Sequence, residues 1–269
     1  MIHLLPIIVA SGFRPIVATG GSVTDITVSG TPWRVHTFTS SGTFSVTDSG
    51  SDGNGVEYLI VAGGGGGGGY LSFAFISEGG AGGAGGYLTN IGNNRVSVFN
   101  QNYPITIGLG GSPGVSGFVE ATKGTNGGNS FAFDLTAIGG GGGGATDNSP
   151  TRNGSSGGSG GGGSSQRGLG GAGTSGQGHA GASGSFNNSG GGGGAGGPAT
   201  IVSNVQIQGP GIANSITGSA ITYAEGGFNS IPTANTGSGG KRGTATNGSG
   251  LPSAGASGIV VIRYPLQRA

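Results

Sequence analysis

The sequence predicts an all-β protein in which β-sandwich-like strands carry a bundle of packed, polyglycine or polyproline-II-like segments, with essentially no helix. Three observations predict it. Glycine supplies 71 of the 269 residues, and much of it lies in unbroken tracts at 63–69, 139–144, 160–163 and 190–194. The tracts follow apolar, β-rich runs: Val56-Glu57-Tyr58-Leu59-Ile60-Val61-Ala62 leads straight into the first. Glycine at this density also defeats helix formation, at about 1 kcal/mol per residue relative to alanine.

A flexible linker is not framed by strands in this way. Proline plus glycine reaches 82 residues, a fraction at which low complexity is the default reading. Only 7% of residues are charged, however, so self-repulsion does not hold the chain open, and the apolar residues cluster into runs. Ordering glycine costs roughly 0.5–1 kcal/mol more than ordering alanine. Side-chain burial cannot offset that within the tracts, so dense backbone contact must. Such contact combines N–H···O=C bonds with Cα–H···O contacts of about 0.5–1 kcal/mol each. Glycine has two α-hydrogens and no Cβ, which lets extended glycine helices pack on every side.

The elements follow in order. Residues 1–30 form a first section, expected to be an N-terminal attachment or docking segment, with short strands at 16–18 and 23–28 around Gly20-Gly21. Its apolar run Ile2 to Ala10 is too short to span a bilayer. It reads as a strand or docking arm through Ile2, Leu4, Leu5, Ile7 and Ile8, with a secretory signal peptide as the alternative. Residues 31–269 form the glycine-rich β domain. Trp33 to Phe38 and Thr43 to Val46 alternate around Ser40-Ser41-Gly42, the pattern of a hairpin. Tyr58 to Ala62 is nearly continuous and apolar, as a central strand buried on both faces should be. Tyr70 to Ile76, the pair Arg95 to Phe99 and Tyr103 to Ile107 around the polar turn Asn100-Gln101-Asn102, and Phe131 to Leu135 are β-like inserts between glycine segments.

The densest part is 139–197, where 28 of 59 residues are glycine. Its three-residue registers never last, so a collagen-like rod is rejected. Segments that fold back fit better, with Ala145 to Asn153, Gln166-Arg167 and Phe186-Asn187-Asn188 as turns at bundle ends. Further strands read at 201–202, 205–207 and 220–223. The last, Ile259 to Tyr264, is expected to pair with Tyr58 to Val61.

Few function classes find support. The formal charge is +1 and the basic residues are scattered, so nothing resembles a nucleic-acid footprint. Cysteine is absent, which excludes disulfides and thiolate metal sites. No glycine tract opens a helix or precedes Gly-Lys-Ser/Thr, so phosphate-loop matches carry no weight. His3, His36 and His179 lack metal-ligand spacing, and Asp48 and Asp52 lack the EF-hand pattern. With so few charged residues, no catalytic constellation stands out. The reading is therefore not an enzyme, with no cofactor and no metal.

Thr37-Phe38-Thr39-Ser40-Ser41-Gly42-Thr43-Phe44 is followed by Tyr58 to Ala62 before the first tract. Ile138 precedes the second tract, and Gly258-Ile259-Val260-Val261-Ile262-Arg263-Tyr264 closes the pattern. In that order they resemble the glycine-rich domain that recurs in bacteriophage tail-fibre and other virion proteins. The tracts are similar in kind to the polyglycine-II bundle of adhesins at long tail-fibre tips. The resemblance implies a virion location, other virion proteins as partners, and distal loops that touch a bacterial surface receptor, an outer-membrane protein or a glycan. It also implies that a homotrimer would be unsurprising. Candidate receptor-binding residues are the aromatic run Tyr70, Phe73 and Phe75, with Arg152, Arg167, His179, Phe186, Lys241 and Arg242 in polar loops. Each has an ordinary alternative as core or solvated surface. The rival functions are a capsid decoration or other structural virion protein, and a secreted ice- or surface-binding protein.

Overall fold

The computed structural model describes residues 12–51, 55–72, 77–147, 151–202, 205–245 and 250–267. These form an all-β protein with no helix among them. The strands are β1 (Val17–Thr19), β2 (Ser22–Val28), β3 (Thr31–Phe38), β4 (Gly42–Asp48), β5 (Glu57–Val61), β6 (Tyr87–Thr89) and β7 (Asn102–Ile105). They continue as β8 (Ser130–Ala132), β9 (Leu135–Ala137), β10 (Thr200–Val202), β11 (Val205–Ile207), β12 (Ile212–Asn214), β13 (Ile221–Tyr223) and β14 (Ile259–Pro265).

An antiparallel sheet of order β2-β3-β14-β5-β6 faces a smaller sheet of order β1-β4-β7. The expected pairing of the last strand with the first apolar run is present, with Val260 opposite Ile60. All seven residues of β14 are buried. Alternation sends Val260, Ile262 and Tyr264 into one core with Phe38, Phe44, Ile60 and Ile105 between the two sheets. Val261 and Ile259 join Val35, Leu59, Val61, Ile216 and Tyr223 in a second core on the other face. The buried His36 and Arg263 side chains are both partnered. His36 Nδ1 lies 2.7 Å from the Gly20 carbonyl oxygen and Nε2 lies 3.1 Å from the Tyr264 hydroxyl. A carbonyl only accepts, so Nδ1 carries the proton and Nε2 accepts from Tyr264. Burial pushes the His36 pKa down. Arg263 binds Glu57 through Nε at 2.8 Å, and its guanidinium carbon lies 4.8 Å from the Trp33 ring centre.

Four local readings need correction. β3 and β4 are not a hairpin: β3 pairs with β2 and β14, and β4 pairs with β1 and β7. Ser40-Ser41-Gly42 instead arches from one sheet to the other, which lets Phe38 and Phe44 enter the same core from opposite sides. Residues 95–99 do not pair with 103–107. Val96 makes a bridge to Val56, while β7 joins β4. Residues 131–135 are not one strand but the tip of the β8–β9 hairpin, with Phe133 at φ 52° and Asp134 at φ 59°. Positive φ at both central residues is a type I′ turn. The Phe133 ring packs on Tyr103, Phe44 and Tyr58 at 5.2–6.2 Å, which offsets the strain. Finally, β1 and β2 are integral to the two sheets, so residues 17–28 are not a separate attachment section. The proposed docking residues Ile2, Leu4, Leu5, Ile7 and Ile8 lie outside the described residues.

The glycine segments form a lattice around 63–69. Gly63, Gly66 and Gly69 donate to the carbonyls of Gly128, Thr125 and Thr122, each at 3.0 Å. Gly64 and Gly67 donate to Ala256 and Ser253, and Gly65 and Gly68 donate to Gly83 and Gly80. The carbonyls of Gly63 and Gly66 accept from Gly140 and Gly143, those of Gly64 and Gly67 from Gly111 and Gly114, and those of Gly65 and Gly68 from Gly240 and Gly243. Every third residue meets the same neighbour, the period of a threefold extended helix. The segment therefore has six neighbours: three antiparallel ones accept from its N–H groups and three parallel ones donate to its carbonyls. No side chain fits between them. A Cβ on Gly65 would fall on the Gly141 carbonyl oxygen, well inside 3.0 Å.

Candidate functional site

The lattice fixes where every connecting loop emerges. Segment 63–69 leaves β5 and runs away from the sandwich. Segment 139–144 is parallel to it, through Gly140 and Gly143 to Gly63 and Gly66. Segment 159–164 is parallel to 139–144, since Gly141 donates to Ser159 at 2.9 Å and Gly144 to Gly162 at 3.0 Å. Segment 178–184 is parallel to 159–164, since Gly160 donates to His179 and Gly163 to Ala182. Segments 111–114 and 240–243 run the same way. The described residues of the six loops that follow, at 70–72 and 77–78, 116–121, 145–147 and 151–152, 165–167, 185–188, and 244–245 and 250, therefore all emerge at the end of the bundle remote from the sheets.

Loop pairs touch there. Gln166 bridges Phe186, and Leu71 bridges Gly117. Phe186 is 72% exposed, Phe118 74% and Val119 92%. Arg167 is exposed and held at φ 60°, a conformation that closes the 165–167 turn. Arg152 is half-buried, and its Nε donates to the Asp147 carbonyl at 2.7 Å.

Beneath the loops lies a polar clamp centred on Glu78, a residue the sequence reading passed over. The Glu78 carboxylate takes an ion pair from Arg242 Nη1 and accepts from the Ser189 backbone N–H at 3.2 Å. Its own N–H donates to Ser165 Oγ at 3.0 Å, and its carbonyl accepts from Ser165 N–H at 2.9 Å. Arg242 also donates to Ser189 Oγ at 2.7 Å and Asn229 Oδ1 at 2.9 Å, and stacks on Phe228 at 4.6 Å. Burial pulls the Arg242 pKa down while adjacent Glu78 opposes the shift. Thr146 Oγ1 accepts from Ser77 Oγ at 2.7 Å and from Leu71 N–H at 2.8 Å, tying the 145–152 loop to 70–78. The clamp thus joins four loops and the 242–244 segment into one unit.

The anticipated contact residues divide accordingly. Arg152, Arg167 and Phe186 lie at the remote end. Tyr70 is there but only 7% exposed, so it is core and offers no surface. Arg242 belongs to the clamp, and Lys241 is half-buried with its N–H bound to Ser253 Oγ at 2.8 Å. His179 is exposed but sits toward the sheet end, beside Tyr87 and Gln177. Phe73 and Phe75 lie outside the described residues. Phe118 and Val119 were missed. Their signal was an apolar pair directly after Ser116-Gly117, inside a turn.

Among the described residues, no group of histidine and carboxylate side chains has a metal-binding arrangement. No curated protein matches the chain. The model of the glycine-rich domain matches residues 39–265, from the arch after β3 to the end of β14, and the chain therefore belongs to the glycine-rich domain family.

Proposed function

We propose that this chain is a non-enzymatic structural protein of a bacteriophage virion, a tail-fibre or adhesin component whose remote loops attach to the host surface. One observation carries the reading: the lattice gathers six loops on one end and clamps them from below, while the sandwich occupies the other end. A rigid scaffold with exposed apolar and cationic loop residues is suited to recognition. Glycine backbone in the interior leaves the loop sequences free to vary without disturbing a side-chain core. The sandwich end faces other virion proteins, and the loop end faces a bacterial outer-membrane protein or glycan. Many copies per particle turn weak single contacts into avidity.

The test is binding of the purified, labelled chain to a panel of bacterial strains. Saturable, strain-selective binding that Phe186→Ala or Arg167→Ala alters without unfolding supports the proposal. Absence of cell binding, with tight binding to particles lacking this protein, overturns it in favour of a decoration role.

A further inference from the structure

Four carboxylates of this charge-poor chain pair with arginine: Asp25 with Arg34, Asp48 with Arg14, Glu57 with Arg95 and Arg263, and Glu78 with Arg242. Glu225 is held differently. It is half-buried where the β12–β13 hairpin meets the bundle, and no cation pairs with it among the described residues. Its Oε1 accepts from Gln208 Nε2 at 2.9 Å. Its backbone N–H donates to Ser238 Oγ at 3.3 Å. Ser238 Oγ lies 2.9 Å from Thr236 Oγ1, which donates to the Thr233 carbonyl at 2.7 Å. Gln208 thus holds one carboxylate oxygen, the Ser238–Thr236–Thr233 chain holds the backbone beneath it, and Oε2 has no hydrogen bond among the described residues.

Glu225 lines a cleft of about 280 Å³. Thr222 and Ser230 contribute hydroxyls to its wall, and Ile221 and Ile231 form an apolar rim. Ile231 is 75% exposed. The cleft falls just below the roughly 300–1,000 Å³ of drug-sized sites, the scale of one sugar ring. Its chemistry suits such a ring. Serine and threonine hydroxyls both donate and accept, as ring hydroxyls require. A fixed carboxylate accepts from two adjacent hydroxyls, and the isoleucines cover the C–H face. The lining contains a carboxylate and no cation, which disfavours an anionic ligand.

We propose that this cleft is a second binding site, for one neutral or amino-substituted pyranose residue of a glycan, with Glu225 as its principal acceptor. It stands on the flank of the bundle, apart from the remote loops, and does not depend on their function. Glu225 acts through bare backbone as well: its carbonyl accepts from Gly239 at 2.9 Å, which anchors the site to the lattice.

Saturation-transfer NMR and calorimetric titration of the full chain test it. The probes are glucose, galactose, mannose, glucosamine and N-acetylglucosamine, with glucuronate and Nα-acetyl-lysine amide alongside. At least one of the neutral or amino sugars is expected to bind saturably. Glu225→Gln should weaken that binding about tenfold, the loss of one charge-assisted hydrogen bond. Ser230→Trp, at an exposed position that can fill the cleft without disturbing the fold, should abolish it. Phe186→Ala should leave it unchanged. The proposal is overturned if no sugar shows saturable, Glu225-dependent binding, if glucuronate binds best, or if the lysine amide alone binds, which would make the cleft a dock for a basic side chain of a protein.

Discussion

Substituting Gly66 by alanine tests the lattice directly. A Cβ there would sit on the Ser112 carbonyl oxygen, inside 3.0 Å, with no flexible side chain to give way. Segment 111–114 is itself pinned, since Gly111 and Gly114 donate to Gly64 and Gly67 at 2.8 Å. Relief therefore requires one whole segment to move. Movement breaks at least the bonds from Gly66 to Thr125, 3.0 Å, and from Gly143 to Gly66, 2.9 Å. Two such bonds are worth about 1 kcal/mol each net. Overpacking adds about 1–3 kcal/mol. The expected loss is thus ~3–5 kcal/mol, or roughly 6–20 °C in Tm at about 2–4 °C per kcal/mol for a chain near this size. Gly42→Ala is the control, because its Cβ would meet only the Phe38 ring at 3.8 Å. Without a clash, replacing glycine by alanine stabilises by about 0.4–1 kcal/mol through the unfolded chain. Urea unfolding followed by far-ultraviolet circular dichroism separates the two. A Gly66→Ala chain within about 0.5 kcal/mol of the parent, the range of ordinary surface changes, would refute close backbone packing in the bundle.

Glu78→Gln leaves the Arg242 guanidinium buried without its counter-charge and should cost about 3–5 kcal/mol. Hydrogen exchange at the Ser165 and Ser189 amides should quicken, and adding Arg242→Met should recover part of the loss; an unchanged single variant would mean that the clamp does not hold the loops. Burial keeps the His36 pKa below its ordinary 6.5, so on acidification the unfolded chain takes up the proton first. Its contribution to stability is whole above the unfolded value and is lost as pH falls below it, by up to about 1.4 kcal/mol per pH unit. Urea midpoints from pH 7.5 to 5 should show this slope, and His36→Gln should flatten it. Asp134→Gly in the β8–β9 turn should be neutral or stabilising by up to about 1 kcal/mol, because glycine adopts φ 59° without a Cβ penalty; a clear loss in thermal melting would show that the aspartate side chain holds the turn.

The parts legible in the sequence were those set by local chemistry. The run Tyr58 to Ala62 has no polar face, so it had to be central, and the closing apolar run, Ile259 to Tyr264, is its neighbour. The breaks at Ala145 to Asn153, Gln166-Arg167 and Phe186 to Asn188 interrupt glycine, so they had to be turns. Pairings that depend on a distant partner were not legible. Thr43 to Val46 alternates as a hairpin strand would, yet Phe44 gains more by facing Phe38 across the core than by lying beside it. Phe133 reads as mid-strand because its left-handed backbone is supported by Tyr103, Phe44 and Tyr58, residues far off in the chain. For the candidate site, the identities of Arg152, Arg167 and Phe186 were visible, but Tyr70 and Arg242 looked equally available until burial and the Glu78 clamp claimed them.

Composition and order alone determined that this chain is all-β, that its glycine is structural, and that strands frame the tracts. Glycine has no side chain with which to choose among neighbours, so a tract carries no record of which segments surround it. That choice, and with it the gathering of six loops on one end and the isolation of Glu225 in its cleft, was made by tertiary structure. Backbone hydrogen bonds of a threefold helix point in every direction, and only the placement of the whole chain decides what they meet.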